Sequence, residues 1–410
     1  MARHYSPKNF FRQMSSDLLA RYFRETEEDA IASLAERGDY STKNLFEAWL
    51  LIPDEHRRRM DAEFSSIFEL SCEKGFRAIL DEAEWQLLTM ARDPQMHAAF
   101  VDKLAGMSNH FERAMITFLD HRQFWKAATL FYHADTLSNW RKRKNLPHLS
   151  VAVDADSLRQ LADLIRIYFH RTEGRGNNCV VEPFRRGELD YFYAYPEDYS
   201  QQAVEWVNGE FDRRPHNPAF EVIYVYSEKN GTLDLSCPGS YKAVEPLQEM
   251  FAQAILKLSE LPPDPKDGRV YDLNPLRQRG FDFVFDVGSG IQGAVIRKLR
   301  LSSVVNKGDR ITIEADATQK PDAVYRLMEQ IGKSLPLDLY NVTQVEIAAT
   351  IVTDAGKSQK TVTFRLTHPN SCSLKYDELD LKLRDMLRAS SIEPQEPAPP
   401  FNAPKASACG

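Results

Sequence analysis

Residues 221–257 read EVIYVYSEKNGTLDLSCPGSYKAVEPLQEMFAQAILK, and this stretch decides the fold class. The runs FEVIYVYS and TLDLSC are rich in β-branched and aromatic residues, and they flank Glu228-Lys229-Asn230-Gly231. Asn-Gly supplies the positive φ angles of a tight hairpin turn. After a short polar loop, Leu247, Phe251, Ile255 and Leu258 recur at helical steps, which predicts a helix over Val244–Leu258. A hairpin with an apolar face needs cover, and a helix joined by a short loop is the nearest available.

The same unit returns between Gln344 and Arg388. VEIAATIV and KTVTFRLT are joined across Asp354-Ala355-Gly356-Lys357, and a helix over Tyr376–Leu387 carries Leu379, Leu381, Leu383 and Met386. FDFVFDV, the region Val295–Val305 and RITIEA read as further strands, and Pro321–Lys333 as a helix. Upstream, Asp154 caps a helix with Leu158, Leu161, Leu164, Ile165 and Tyr168; CVVEPF and LDYFYAYP then read as a hairpin.

From Ser6 to about Leu146 every periodic signal is helical. Pro53-Asp54-Glu55 and Asp93-Pro94 are helix starts, Ser108 opens a third helix and Phe124–Leu137 forms a fourth, with Gly75 a break or bend. Trp49, Trp85 and Trp125 read as packing between helices. The expected class is therefore α+β: an all-helical N-terminal domain at 1–148, then two hairpin-plus-helix α/β sandwich units at 149–260 and 269–392. LPPDPKDG, Leu261–Gly268, is the linker between the two units, because proline cannot donate to a helix or a ladder. The proline-rich stretch 393–410 has little to bury and reads as a disordered tail.

Composition narrows the function. The 410 residues are 43% hydrophobic and 27% charged, enough for cores of ordinary size, and the formal charge of −7 gives no overall attraction to nucleic acid or anionic lipid. No apolar run is long enough for a membrane span, and MARHYSPKNFFRQM lacks the apolar stretch of a signal peptide. The five cysteines are scattered without a CxxC pair, which suits a reducing compartment and predicts a cytoplasmic protein without a metal site. Cys237 and Cys372 sit at comparable places in the two units, as a redox or metal pair or as small residues filling strand-to-helix corners.

Three segments stand out. Trp140-Arg141-Lys142-Arg143-Lys144 sets four cations beside an indole, a pattern that neutralises phosphates and stacks a base. Tyr191, Tyr193 and Tyr195 share one face of a strand, with Arg213, Arg214 and His216 in a loop held extended by Pro215 and Pro218; either group can meet a partner. GSGIQG fits G-x-G-x-x-G, with Gly288, Gly290 and Gly293 as candidate cofactor contacts, although a helix is doubtful in the β-branched residues that follow. HExxH, G-x-S-x-G and the Walker A motif are absent, so the reading leans away from an enzyme and assigns no catalytic residue and no cofactor. The first expectation is a non-catalytic interaction or regulatory protein that recognises a protein partner through its surface. The alternatives are a nucleic-acid-binding protein using residues 140–144, and an enzyme or sensor holding a nucleotide or other small ligand in the C-terminal part.

Overall fold

The structure, a computed structural model, describes residues 4–37, 41–138, 140–207, 209–239, 241–263, 270–306, 308–317, 320–353 and 358–394. The linker from residue 264, the turn at 354–357, the tail from 395 and Cys409 lie outside the described residues. The chain divides into two compact units, residues 1–136 with 185–187, and residues 137–184 with 188–410. The protein is of the α+β class, and among the described residues no helix is long and apolar enough to cross a membrane.

The first unit contains α1 (Pro7–Gln13), α2 (Ser16–Glu25), α3 (Asp29–Glu36), α4 (Thr42–Leu50), α5 (Asp54–Leu70), α6 (Glu73–Ala83), α7 (Pro94–Ala105), α8 (His110–Asp120) and α9 (Arg122–Thr136). Local chemistry sets the starts. Asp93 accepts the Met96 amide at 2.9 Å ahead of Pro94, and Asn109, one residue beyond the expected Ser108, accepts the Phe111 and Glu112 amides at 2.8 and 3.0 Å. The break expected at Gly75 falls at Ser71–Cys72 instead, and Gly75 lies in the first turn of α6. A Cβ there would sit 2.3 Å from the Leu70 carbonyl oxygen, so glycine is what lets α6 turn back tightly on α5. Phe10, Phe11, Phe23 and Phe64 form the aromatic centre, with the Phe10 and Phe64 rings 4.8 Å apart.

The second unit holds β1 (Trp140–Arg143), α10 (Ala155–Glu173), β2 (Cys179–Arg186), β3 (Leu189–Pro196), β4 (Gln201–Val207), β5 (Glu210–His216), β6 (Val222–Ser227), β7 (Thr232–Ser236), α11 (Val244–Ala254), β8 (Ile291–Ser303), β9 (Arg310–Glu314), α12 (Ala323–Gly332), β10 (Tyr340–Thr353), β11 (Ser358–Thr367), β12 (Ser371–Cys372) and α13 (Glu378–Ala389). Ten strands form one sheet in the order β2-β3-β6-β7-β1-β12-β11-β10-β8-β9, so strands from both the 149–260 and 269–392 stretches share it. The strand expected at FDFVFDV is not one. Phe281, Phe283 and Phe285 pack on the core from an extended segment outside the ladders, anchored by the Val284 amide donating to Ser390 Oγ at 2.8 Å.

Register shows how the sheet is covered, because directly opposed residues on antiparallel strands share a face. One row runs Phe192–Tyr224–Leu235–Arg141–Ser371–Thr367–Gln344–Arg300–Thr312 across the paired strands. Its first three members are apolar and pack under α10 and α11, with the Phe192 and Phe251 rings 5.2 Å apart. From Arg141 onward the row is polar. On the opposite face Trp140–Cys372–Leu366–Val345–Leu299–Ile313 is buried, and α12 and α13 supply Val324, Leu379, Leu383 and Met386 to that side. Within each half of the sheet the helices lie on one face, and the two halves use opposite faces.

In the first unit, Glu82 is only 5% exposed, and burial pushes its carboxyl up to about 7, against a smaller opposing effect of the Gln86 side-chain amide. A carboxyl whose folded pKa is raised disfavours folding once it ionises. The penalty therefore grows from the ordinary value of 4.5 to about 7 and stays constant above. Glu82→Gln is expected to stabilise the protein by on the order of 2 kcal/mol at pH 8 and by well under half of that at pH 5. Urea denaturation of both proteins at the two pH values checks this; an equal gain at both would remove the titration from the explanation.

Candidate partner-binding surface

Strands β4 and β5 stand apart from the large sheet as a two-stranded ribbon. Their pairing places Gln202 opposite Pro215, Val204 opposite Arg213 and Trp206 opposite Phe211 on one face. Gln201, Ala203, Glu205, Val207, Glu210, Asp212, Arg214 and His216 form the other. Alternation ordinarily turns the apolar side inward. Here the side carrying the indole and the phenyl faces solvent: Val204 is 61%, Trp206 66% and Phe211 53% exposed.

The exposed side chains are organised. The Trp206 and Phe211 rings meet edge to face at 5.7 Å, and the Arg213 guanidinium lies 5.6 Å from the Phe211 ring. Arg214, on the other face, donates to Glu205 at 2.6 Å. Arg213 is thus the cation of the apolar face.

Arg213, Arg214 and His216 are all exposed, as a binding role requires, but they lie in strand β5 rather than in the expected loop. Both strands of an isolated ribbon are edges, so Pro215 removes no ladder hydrogen bond that the ribbon needs. Sequence reading passed over Val204, Trp206 and Phe211. The Asn208-Gly209 pair between two short alternating runs was the signal for a hairpin, although alternation alone does not say which side is turned outward.

The tyrosines are placed differently. Tyr191 and Tyr193 are 0% exposed with near-parallel rings 6.1 Å apart, and Tyr376 packs edge-on against Tyr191 at 6.2 Å. Tyr195 is half-buried, and burial raises its hydroxyl to about 12. Neither Tyr191 nor Tyr193 is presented to a partner.

Residues 140–143 form a strand four residues after α9 ends at Thr136. Trp140 is 1% exposed, its ring set edge-on to Tyr376 at 5.6 Å, so no base can stack on it. Lys142 donates to Glu393 at 2.9 Å in a pair only 4% and 6% exposed. Burial works to raise the Glu393 carboxyl, but the Lys142 ammonium outweighs it and holds the group below the ordinary carboxylate value. Arg143 donates to Gln248 at 3.3 Å and to the Pro262 carbonyl, and Lys144 to the Pro394 carbonyl at 2.9 Å. Three of the four cations are engaged within the fold; Arg141 borders open space.

At GSGIQG, Asp286 accepts the Gly288 amide at 2.6 Å in a short 3-10 turn, and Gly290 follows at φ 81°. The next element is strand β8, not the helix whose N-terminus a dinucleotide site at Gly288, Gly290 and Gly293 needs. Among the described residues no group of three or more His, Cys, Asp and Glu side chains is arranged to hold a metal. No protein-family model matches this chain, and no curated protein matches it either.

Cys237 and Cys372 do not come together: the first packs on the cluster beneath α11 and the second lies in the cluster beneath α13. Burial pushes the Cys237 thiol up to about 11 and Cys179 to about 12, and raises Cys372 as well. At pH 8 only about one Cys237 in a thousand is thiolate. Brief iodoacetamide treatment at pH 8 is expected to leave Cys179, Cys237 and Cys372 unmodified until denaturant is added. Peptide mass spectrometry reads this, and alkylation of the native protein at any of the three would contradict their raised thiol pKa.

Proposed function

We propose that this is a non-catalytic interaction protein of the cytoplasm that docks a protein partner through the outward face of the β4–β5 ribbon. The observation that carries the reading is the clustering of Val204, Trp206 and Phe211, each more than half exposed, beside Arg213. Apolar side chains clustered in water beside a cation mark an interaction face, and isolated two-stranded ribbons are marginal on their own. Tryptophan, aromatic and arginine anchors are also the residue types that dominate binding energy at protein interfaces.

The partner's chemistry follows from the face. It offers an apolar cleft wide enough for an indole and a phenyl ring, with a carboxylate at its rim to meet Arg213. Cysteines scattered without a CxxC pair are consistent with a reducing compartment.

A photo-crosslinking amino acid at position 204 of the full chain, expressed in its own cells, identifies the partner, which is then purified. The Trp206→Ala, Phe211→Ala double variant is expected to weaken binding at least about 30-fold, equivalent to about 2 kcal/mol. Arg214→Ala, on the opposite face, is expected to stay within about 2-fold, as a neutral contact does. These side chains are exposed, so thermal denaturation of the variants is expected to match wild type. Equal affinity of the double variant, absence of any crosslinked protein, or crosslinking only to a second copy of the chain would each overturn the proposal.

A further inference from the structure

The polar half of the long cross-sheet row leaves a second feature with no role in docking. On the face of β12, β11 and β10 opposite the one that α12 and α13 pack against lies an open cavity of about 540 Å³, floored by Thr367, Gln344 and Glu346 and flanked by Arg141, Arg365 and Ser371. Its volume falls within the range of small-molecule sites. Phe364 reaches its rim, but that side chain is 3% exposed and belongs to the core on the opposite face. The floor therefore consists of hydroxyls, an amide, a carboxylate and guanidiniums.

Arg141 is the informative member. It is half-buried, leans on the Tyr241 ring at 5.6 Å, and has no carboxylate partner among the described residues. Arg143, which shares its face, is tied down by Gln248 and Pro262. A partly desolvated guanidinium without a counter-ion beside a cavity is poised for an anion, and its planar fork matches a phosphate or carboxylate. Arg365, two residues along β11 from Thr367, is 55% exposed and meets Glu346 only loosely at 3.7 Å.

The rest of the floor limits what the anion is attached to. Gln344 donates to Thr367 Oγ1 at 3.0 Å, which orients its amide, and Glu346 is an acceptor whose side chain is 18% exposed. Hydroxyl-bearing ligands satisfy such groups, whereas an apolar body leaves them unpaired at a cost. The Glu346 carboxylate also repels a chain of phosphates. Strands lie about 4.8 Å apart, so the Arg141 strand is roughly 10 Å from β11, the span of a monosaccharide with one phosphate.

We propose that this floor binds a phosphorylated, hydroxyl-rich small molecule, a sugar phosphate, with Arg141 on the phosphate and Gln344, Glu346 and Thr367 beneath the hydroxylated body. The site shares no residue with the β4–β5 ribbon, so the two readings stand or fall separately.

Thermal shift and calorimetry of the full chain test it, with glucose 6-phosphate and ribose 5-phosphate as probes and glucose, inorganic phosphate and a single-stranded oligonucleotide beside them. A sugar phosphate at about 10 mM is expected to raise Tm by about 3 °C or more, since a ligand of the native state stabilises by mass action. Glucose is expected to give no shift, and inorganic phosphate a smaller one. Arg141→Ala is expected to abolish the rise. Thr363→Asp, which sets a carboxylate on the cavity wall without removing a cation, is expected to do the same, and Arg213→Ala to leave it intact. No rise with either sugar phosphate, an equal rise with inorganic phosphate, a rise only with the oligonucleotide, or a rise that survives both Arg141→Ala and Thr363→Asp would overturn the proposal.

Discussion

The second unit depends on strand β1 holding its place between β7 and β12. Trp140 pairs with Cys372 and Arg143 with Leu233, so four residues hydrogen-bond one half of the sheet to the other. Side chains alternate along a strand, so this single register fixes two outcomes at once. Arg141 and Arg143 look toward the side of α11, while Trp140 and Lys142 look toward the side of α13. A one-residue slip would put Trp140 on the α11 side and move Lys142 away from Glu393. The buried Lys142–Glu393 pair works against that slip, because parting it strands a charge in a dry interior at a cost of about 3–5 kcal/mol.

From that register the coverage of the sheet follows. The apolar residues under α10 and α11 end at Leu235, and on the far half the apolar side is the opposite one. Helices go where apolar surface needs them. The polar side of β12, β11 and β10 needs no helix, and it is there that Arg141 remains without a carboxylate partner among the described residues. Buried on both faces, β6 reads as a continuous apolar run, while β11, covered on one face, reads as an alternating one.

Local signals were legible in the chain, and long-range ones were not. Asp93, Asp154 and the Asn230-Gly231 turn act through neighbours a few residues away, and each sits where its chemistry places it, with Asp154 accepting the Ser157 amide at 2.9 Å and Gly231 at φ 58°. WRKR reads as a phosphate-binding charge run because its partners, Cys372, Leu233, Gln248 and Glu393, lie a hundred residues or so away or further. FDFVFDV has the alternation of a strand but pairs with no strand among the described residues. For the ribbon, Arg213 and Arg214 were visible as a basic loop, whereas the exposure of Trp206 and Phe211 depends on which face the rest of the unit leaves uncovered. The tyrosines show the same limit, since alternation correctly groups Tyr191 with Tyr193 but is silent about Tyr376 arriving from another part of the chain.

The bond between Lys142 and Glu393 joins positions 251 residues apart. During synthesis the chain emerges from its amino end, so β7 can seat against β1 long before β12 and Glu393 leave the ribosome. Throughout that interval the far edge of β1 is bare and the Trp140 indole has no Tyr376 to lie against. The nascent protein therefore passes through a stage with a sticky, half-finished sheet at its middle, a stage at which a holdase chaperone has most to offer.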